Sequence, residues 1–285
     1  MSQSLIRCLA VGALAIPTVA VVAGTATPAH AIGSSVRVAR SSLSNTLPVK
    51  TARVVCPDGM RAYSGGGAVD YGPAGGTGAA LTAITPDSAE RAILVTAKAP
   101  PGQTGEWSVV AYAVCSSSVE PLLVVHKGLG TAVADCPEYT GLFGVGFDIA
   151  ADPSDAHVTG VTMNSELTRV RVTAGGPHAA TTLVTATAAC RYPSSQQRQV
   201  TARNAGAGWP KVVAGQDTEP DLSTYPVGAA VTGPESATLD AIVPGADDGI
   251  TWARGTLFGA AAGSRAADDG DGSVTVEAGL IGTFH

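Results

Sequence analysis

The chain has 285 residues, of which 45% are hydrophobic and 14% charged, and its formal net charge is −6. This acidic balance argues against nucleic acid as a partner, because binding a phosphate backbone needs a basic patch. The hydrophobic content excludes a long disordered chain. The 35 glycines and the many Ala, Val and Thr residues favour β-structure.

The N-terminus has the pattern of a secretory signal peptide. Arg7 precedes an apolar run that extends to Val22, and Ala29 and Ala31 supply the small residues that signal peptidase requires. We therefore predict a signal peptide over residues 1–31. No later apolar run is long enough to cross a bilayer. The expected mature chain is secreted, extracellular and without a membrane span.

Three similar segments follow a lead-in over residues 32–50, which is either loose or a first edge strand. The predicted boundaries are 51–116, 117–191 and 192–285. Gly66, Gly146 and Gly228 mark the same point in each segment, at spacings of 80 and 82 residues, and an aromatic residue lies three positions before each glycine. Similarity at a nearly fixed period indicates one structural unit used three times.

The predicted fold class is all-β, with three related β-rich repeat units of four or five strands each. Runs such as 109–114 and 170–173 alternate with a period of two, which is typical of strands. The units form either tandem small sandwiches or a pseudo-threefold prism of sheets. A unit of this size with its own disulfide can hold a small core, which slightly favours the tandem arrangement.

Four cysteines remain after removal of the signal peptide, and an oxidising destination predicts disulfides between them. Four cysteines allow three pairings. The first two segments place their cysteines at the same two ends, which selects Cys56 with Cys115 and Cys136 with Cys190. The third segment has no cysteine.

The aromatic residues before the repeated glycines are Tyr63, Phe143 and Tyr225. An aromatic residue at the same point of every unit is more often a packing residue than a recognition residue. We therefore expect all three to be structural. Their alternative role is as ligand contacts, for example to cell-envelope glycan.

No catalytic or metal-binding motif is evident, and neither an enzyme nor a cofactor is predicted. The histidines occur singly, and no serine lies in a Gly-x-Ser-x-Gly elbow. Asp268, Asp269 and Asp271 crowd one predicted loop and could offer oxygen ligands to calcium, although their spacing does not fit the helix-loop-helix pattern. A solvated acidic turn is the default interpretation of this loop.

The pattern of Cys56-Pro57, the glycines 65–67 and the closing Tyr112-Ala113-Val114-Cys115 resembles repeats in secreted actinobacterial proteins of unknown function. The resemblance implies secretion and a repeat architecture and implies no active site. We expect a secreted, non-catalytic binding or structural module at or outside the cell surface. Its partner is unknown, and the candidates are cell-envelope glycan and another extracellular protein. The alternatives are a secreted hydrolase and a protease inhibitor that presents the loop 100–105.

Overall fold

The structure, a computed structural model, describes residues 35–72, 78–89, 91–117, 121–150, 156–192, 198–204, 211–215, 222–232, 237–244, 251–257 and 275–284. These residues form an all-β architecture with a single 3-10 turn at Ala179–Thr181. The strands are β1 (Ser35–Ser41), β2 (Val49–Val55), β3 (Arg61–Asp70), β4 (Ala80–Asp87), β5 (Ala92–Lys98), β6 (Ser108–Ser116), β7 (Leu122–Leu129), β8 (Thr131–Asp135), β9 (Gly141–Ile149), β10 (His157–Met163), β11 (Arg169–Gly175), β12 (Leu183–Arg191), β13 (Arg198–Asn204), β14 (Lys211–Gly215), β15 (Leu222–Thr232), β16 (Ala237–Val243), β17 (Thr251–Leu257) and β18 (Thr275–Phe284).

The strands of the described residues fall into three consecutive sets of six, which we call lobe 1 (β1–β6), lobe 2 (β7–β12) and lobe 3 (β13–β18). Six strands per lobe exceed the four or five expected from the sequence. One additional strand in lobe 1 is β1, which lies in the predicted lead-in and forms the edge of its sheet.

All three sheets follow the same rule of strand order. Each joins the first, sixth and third strands of one lobe to the fourth, fifth and second strands of another. The orders are β1-β6-β3-β16-β17-β14 for sheet I, β2-β5-β4-β9-β12-β7 for sheet II and β13-β18-β15-β10-β11-β8 for sheet III. Lobes 1 and 2 therefore share sheet II, lobes 2 and 3 share sheet III, and lobes 3 and 1 share sheet I.

Each lobe is a small two-layered sandwich. In lobe 1, a β-carbon added at Gly67 of β3 would meet the side chains of Val95 and Leu81, which belong to sheet II. The space between the layers is filled by alternate residues of each strand, as in β2, where Ala52 and Val54 are buried and their neighbours exposed. Small β-branched and Ala side chains suit this thin core.

The lobes are joined into a ring by three antiparallel strand junctions, namely β4 with β9, β10 with β15, and β16 with β3. This cyclic sharing of sheets corresponds to the pseudo-threefold alternative. Separate tandem sandwiches would each keep their own sheets, and that arrangement is not observed. The junction strands β3 and β9 are buried on both faces over most of their length.

The three repeated glycines lie at these junctions. A β-carbon at Gly66, Gly146 or Gly228 would collide with the backbone carbonyl oxygen of Ile242, Ile84 or Val161, respectively, on the junction strand of the other lobe. Glycine is therefore required by the close approach of two backbones, which explains its regular spacing.

The aromatic positions are less regular than the glycines. Tyr63 and Phe143 each occupy the bulge between the third and sixth strands of their lobe, whereas the corresponding bulge in lobe 3 falls at Val227. Tyr225 instead pairs with Ile281, two residues before the bulge. The glycine spacing predicts that Tyr225 is equivalent to Tyr63 and Phe143, but Tyr225 does not occupy the bulge as they do.

Candidate functional site

The two disulfides connect the layers of lobes 1 and 2. Cys56 is bonded to Cys115, and Cys136 to Cys190, as the sequence predicts. In each pair, one cysteine follows the second strand and the other lies in the sixth strand, on opposite layers of the sandwich. Cysteines at the two ends of a unit predict bonds between its first and last strands, and the additional first strand shifts the first of these positions to the second strand. Closing loops of this length stabilises a lobe by about 4 kcal/mol in the chain-entropy model.

The rings of Tyr63 and Phe143 contribute to packing. They are 6% and 4% exposed and form one cluster with Val114, at the place where β3 of lobe 1 meets β9 of lobe 2. The guanidinium group of Arg191 lies 5.3 Å from the centre of the Phe143 ring. Buried rings offer no face to a ligand, so this geometry favours the packing role over ligand contact.

Some residues singled out in the sequence lie outside the described part. These are Asp268, Asp269 and Asp271 of the acidic loop and the histidine at position 285, together with the side chain of Tyr225. Among the described residues, no three His, Cys, Asp or Glu side chains converge as ligands of a metal would.

The described histidines lie on three different elements. His157 in β10 is 2% exposed, His126 is exposed on the edge strand β7, and His178 is exposed before the 3-10 turn. The loop 100–105, considered above as an inhibitory loop, contains a turn in which the Gln103 amide donates to the Pro100 carbonyl at 3.3 Å.

Lys50 is a buried cation with a structural role. Its Nζ lies 5.0 Å from the centre of the Trp107 ring and donates hydrogen bonds to the side-chain oxygen of Asn45 and, at 3.4 Å, to the Leu43 carbonyl. Burial lowers the pKa of Lys50, and the nearby carboxylate of Glu106 opposes this effect. These contacts hold the β1–β2 connection against the core of lobe 1.

Asp240 is a buried carboxylate at the junction of lobes 1 and 3. It is 0% exposed, and the Tyr71 hydroxyl lies 3.3 Å from its Oδ2 and 3.3 Å from the Ala79 carbonyl oxygen, either of which can accept the hydroxyl proton. The same hydroxyl oxygen accepts the Ala79 amide at 2.7 Å. Tyr71 therefore links the β3–β4 connection to β16 of lobe 3.

Asp240 occupies a bulge between β16 and β17. At the corresponding bulges of the other two junctions, Thr82 and Thr159 each donate a hydrogen bond to a carbonyl of the next strand, at 3.3 Å in each case.

Asp148 is the exposed carboxylate of the β4–β9 junction, on the face of sheet II that points away from the lobe cores. It lies between the buried residues Phe147 and Ile149. The backbone register places Ala83 of lobe 1 on one side of Asp148 and Thr185 of lobe 2 on the other.

The cross-strand row that contains Asp148 extends over the whole of sheet II. It runs Thr51, Thr96, Ala83, Asp148, Thr185 and Lys127, one residue from each strand. The hydroxyl oxygens of Thr51 and Thr96 lie 3.2 Å apart in a hydrogen bond. With neighbouring strands about 4.8 Å apart, the row extends roughly 24 Å along the sheet. We call these six residues the sheet II row.

The environment of Asp148 disfavours its charge. Partial burial raises the pKa of the Asp148 carboxyl, and the positive charge of Lys127 opposes this rise. A carboxylate that is partly desolvated in the middle of a sheet face is costly, and such groups are often functional.

Asp148 is not among the candidate residues predicted from the sequence, although the sequence does contain a signal. An acidic residue between Phe147 and Ile149 interrupts an apolar strand, and its alternation marks it as outward-facing. What the sequence does not contain is the register that places Asp148 beside Thr185 and within reach of the charge of Lys127.

No protein-family model matches this sequence, and no curated protein matches it either. In the described part of the chain, no helix is long and apolar enough to cross a membrane. The candidate site is therefore defined by the geometry of sheet II alone.

Proposed function

We propose that the protein is a secreted, non-catalytic binding module that acts at or outside the cell surface. The observation that carries this proposal is the combination of an N-terminal signal pattern with two disulfides that cross-link the layers of lobes 1 and 2. Disulfides of this kind persist in oxidising, extracellular surroundings. The resemblance to secreted actinobacterial repeats points the same way.

The sheet faces supply the binding part of the proposal. Most strands are paired on both sides, and disulfides cross-link two of the lobes, so the side chains are held at fixed spacings. A rigid scaffold of this kind reduces the entropy that is lost on binding. The sheet II row offers polar groups from two lobes on one such scaffold. This arrangement is typical of a recognition surface.

The test has two measurements. Expression in an actinobacterial host, followed by N-terminal sequencing of the protein in the medium and the envelope fraction, should give a chain that begins at Ile32. Purified protein should then be retained on envelope material prepared from the same host. Protein that stays inside the cells, or that passes over envelope material without retention, would refute the proposal.

A further inference from the structure

The ring of lobes allows Asp148 to be compared with the same position at the other two junctions. At the lobe 1–lobe 3 junction the equivalent pair is Ala68 with Ala241, and at the lobe 2–lobe 3 junction it is Ala230 with Gly160. In all three pairs the backbones make the same antiparallel contact. The fold therefore accepts alanine at this position and does not require a carboxylate.

The residues beside Asp148 also differ from those beside Ala68, while in sheet III the row beside Ala230 continues with Glu277 and Arg203. In sheet I the row next to Ala68 continues with Val110 and Ser41. In sheet II the corresponding row continues with Thr185 and Lys127. Compared with sheet I, sheet II thus has Asp148 in place of Ala68, Thr185 in place of Val110 and Lys127 in place of Ser41.

Sheet I also covers its own face at this place. Ala68 and Ala241 are buried together with Val243, and Tyr112 packs against them. The guanidinium group of Arg37 lies 5.7 Å from the centre of the Tyr112 ring and donates a hydrogen bond to the Pro244 carbonyl at 2.8 Å. By contrast, Asp148 and Lys127 are exposed in sheet II and Thr185 is partly exposed, whereas Ala83 in the same row is buried.

We propose that Asp148, Thr185 and Lys127 form the centre of a binding site for a neutral, hydroxyl-rich chain, that is, a polysaccharide. This inference rests on the proposed function and names its ligand class and its site.

The hydrogen-bonding chemistry of the three groups selects this ligand. A carboxylate only accepts, an ammonium group only donates, and a threonine hydroxyl does both. A sugar hydroxyl both donates and accepts, so a polyol satisfies all three groups with one kind of functional group. The opposite charges of Asp148 and Lys127 balance, so the three groups have no net charge that would favour an anionic or a cationic ligand. The exposed Val125 and Leu129, on the same strand as Lys127, provide apolar contact for the C–H faces of sugar rings.

The experiment uses the complete secreted chain and three insoluble neutral polysaccharides, namely cellulose, chitin and a β-glucan. We expect retention on at least one of them. Asp148→Ala should reduce the affinity at least tenfold while leaving the melting temperature unchanged or higher, because alanine is the residue at the two equivalent junctions. Lys127→Ser, which copies Ser41, should weaken binding less.

A further variant, Asp148→Asn, removes one negative charge at an exposed position. Its matched control is Glu138→Gln, which makes the same change at another exposed position. Glu138 lies in the turn before β9, so its variant should bind as the parent does. Equal binding by Asp148→Ala and the parent would overturn the site, and so would a parent retained on envelope material but on none of the three polysaccharides. In both of these outcomes the proposed function stands, whereas absence of retention on envelope material and on all three polysaccharides refutes both proposals.

Discussion

The junction glycines allow the sharpest test of the ring architecture. In Gly146→Ala, the new β-carbon would lie 2.7 Å from the carbonyl oxygen of Ile84 and 2.5 Å from Cδ of Pro86. One of these atoms is backbone and the other is part of a proline ring, so neither can rotate away. The β4–β9 junction must therefore shift, and strain of this kind typically costs about 1 to 3 kcal/mol.

This cost should appear as a lower melting temperature in thermal denaturation followed by circular dichroism. Each kcal/mol lowers the melting temperature of a chain of this size by about 2 to 4 °C. Gly160→Ala is the matched control, because its β-carbon would find no atom closer than the Ala230 side chain at 3.7 Å. That variant should be neutral or more stable by about 0.4 to 1 kcal/mol, since alanine restricts the unfolded chain. Equal melting temperatures for the two variants would show that lobes 1 and 2 do not meet in this way.

Two further predictions concern the aromatic cluster and Asp148. Truncation of Tyr63 or Phe143 to Ala should lower the free energy of unfolding by about 3 to 5 kcal/mol in urea denaturation, because each ring is buried; unchanged stability would contradict the packing role. Asp148→Asn should be more stable than the parent at neutral pH, and this advantage should shrink on acidification. The folded-state pKa of Asp148 is raised above its unfolded value, so its destabilising effect is complete above the folded pKa and vanishes below the unfolded one, about 3.9. An advantage that grows towards pH 3 in parallel thermal melts would refute this assignment.

The sequence carried more information about local structure than about the way lobes combine. The glycine spacing, the disulfide pairing and the β-strand class follow from residues that are near in sequence or repeated at a fixed interval. The ring depends on contacts such as Ala68 with Ala241, which have no local signature because the same strands could complete separate sandwiches. The one available hint was the unbroken run of small and apolar residues in β3, since a strand buried on both faces lacks polar alternation.

The candidate site could not be predicted for a related reason. An outward-facing acid such as Asp148 is unremarkable in one strand, since most acidic residues are simply solvated. Its significance arises only from comparison with Ala68 and Ala230 at the other junctions, and that comparison requires the pairing across lobes. The approximate symmetry of the fold thus provides an internal reference that no single stretch of sequence contains.

Residues that hold the ring together can be distinguished by experiment from residues that bind a ligand. Tyr71→Phe removes the hydroxyl that lies within hydrogen-bond distance of the buried Asp240 side chain and accepts the Ala79 amide. Removing a hydrogen-bond partner of a buried polar group typically costs about 1 to 3 kcal/mol, so the variant should melt at a lower temperature.

Binding should respond differently, because the junction of lobes 1 and 3 lies in sheet I and the proposed site lies in sheet II. Below its melting temperature, Tyr71→Phe should therefore bind polysaccharide with the affinity of the parent, whereas Asp148→Ala should show the reverse pattern of full stability and lost binding. Tyr192→Phe is the control, since this tyrosine is 76% exposed and its variant should match the parent in both measurements. If Tyr71→Phe kept full stability, the buried hydrogen bond would not hold the lobe 1–lobe 3 junction; if it lost binding while folded, the site would not be confined to sheet II.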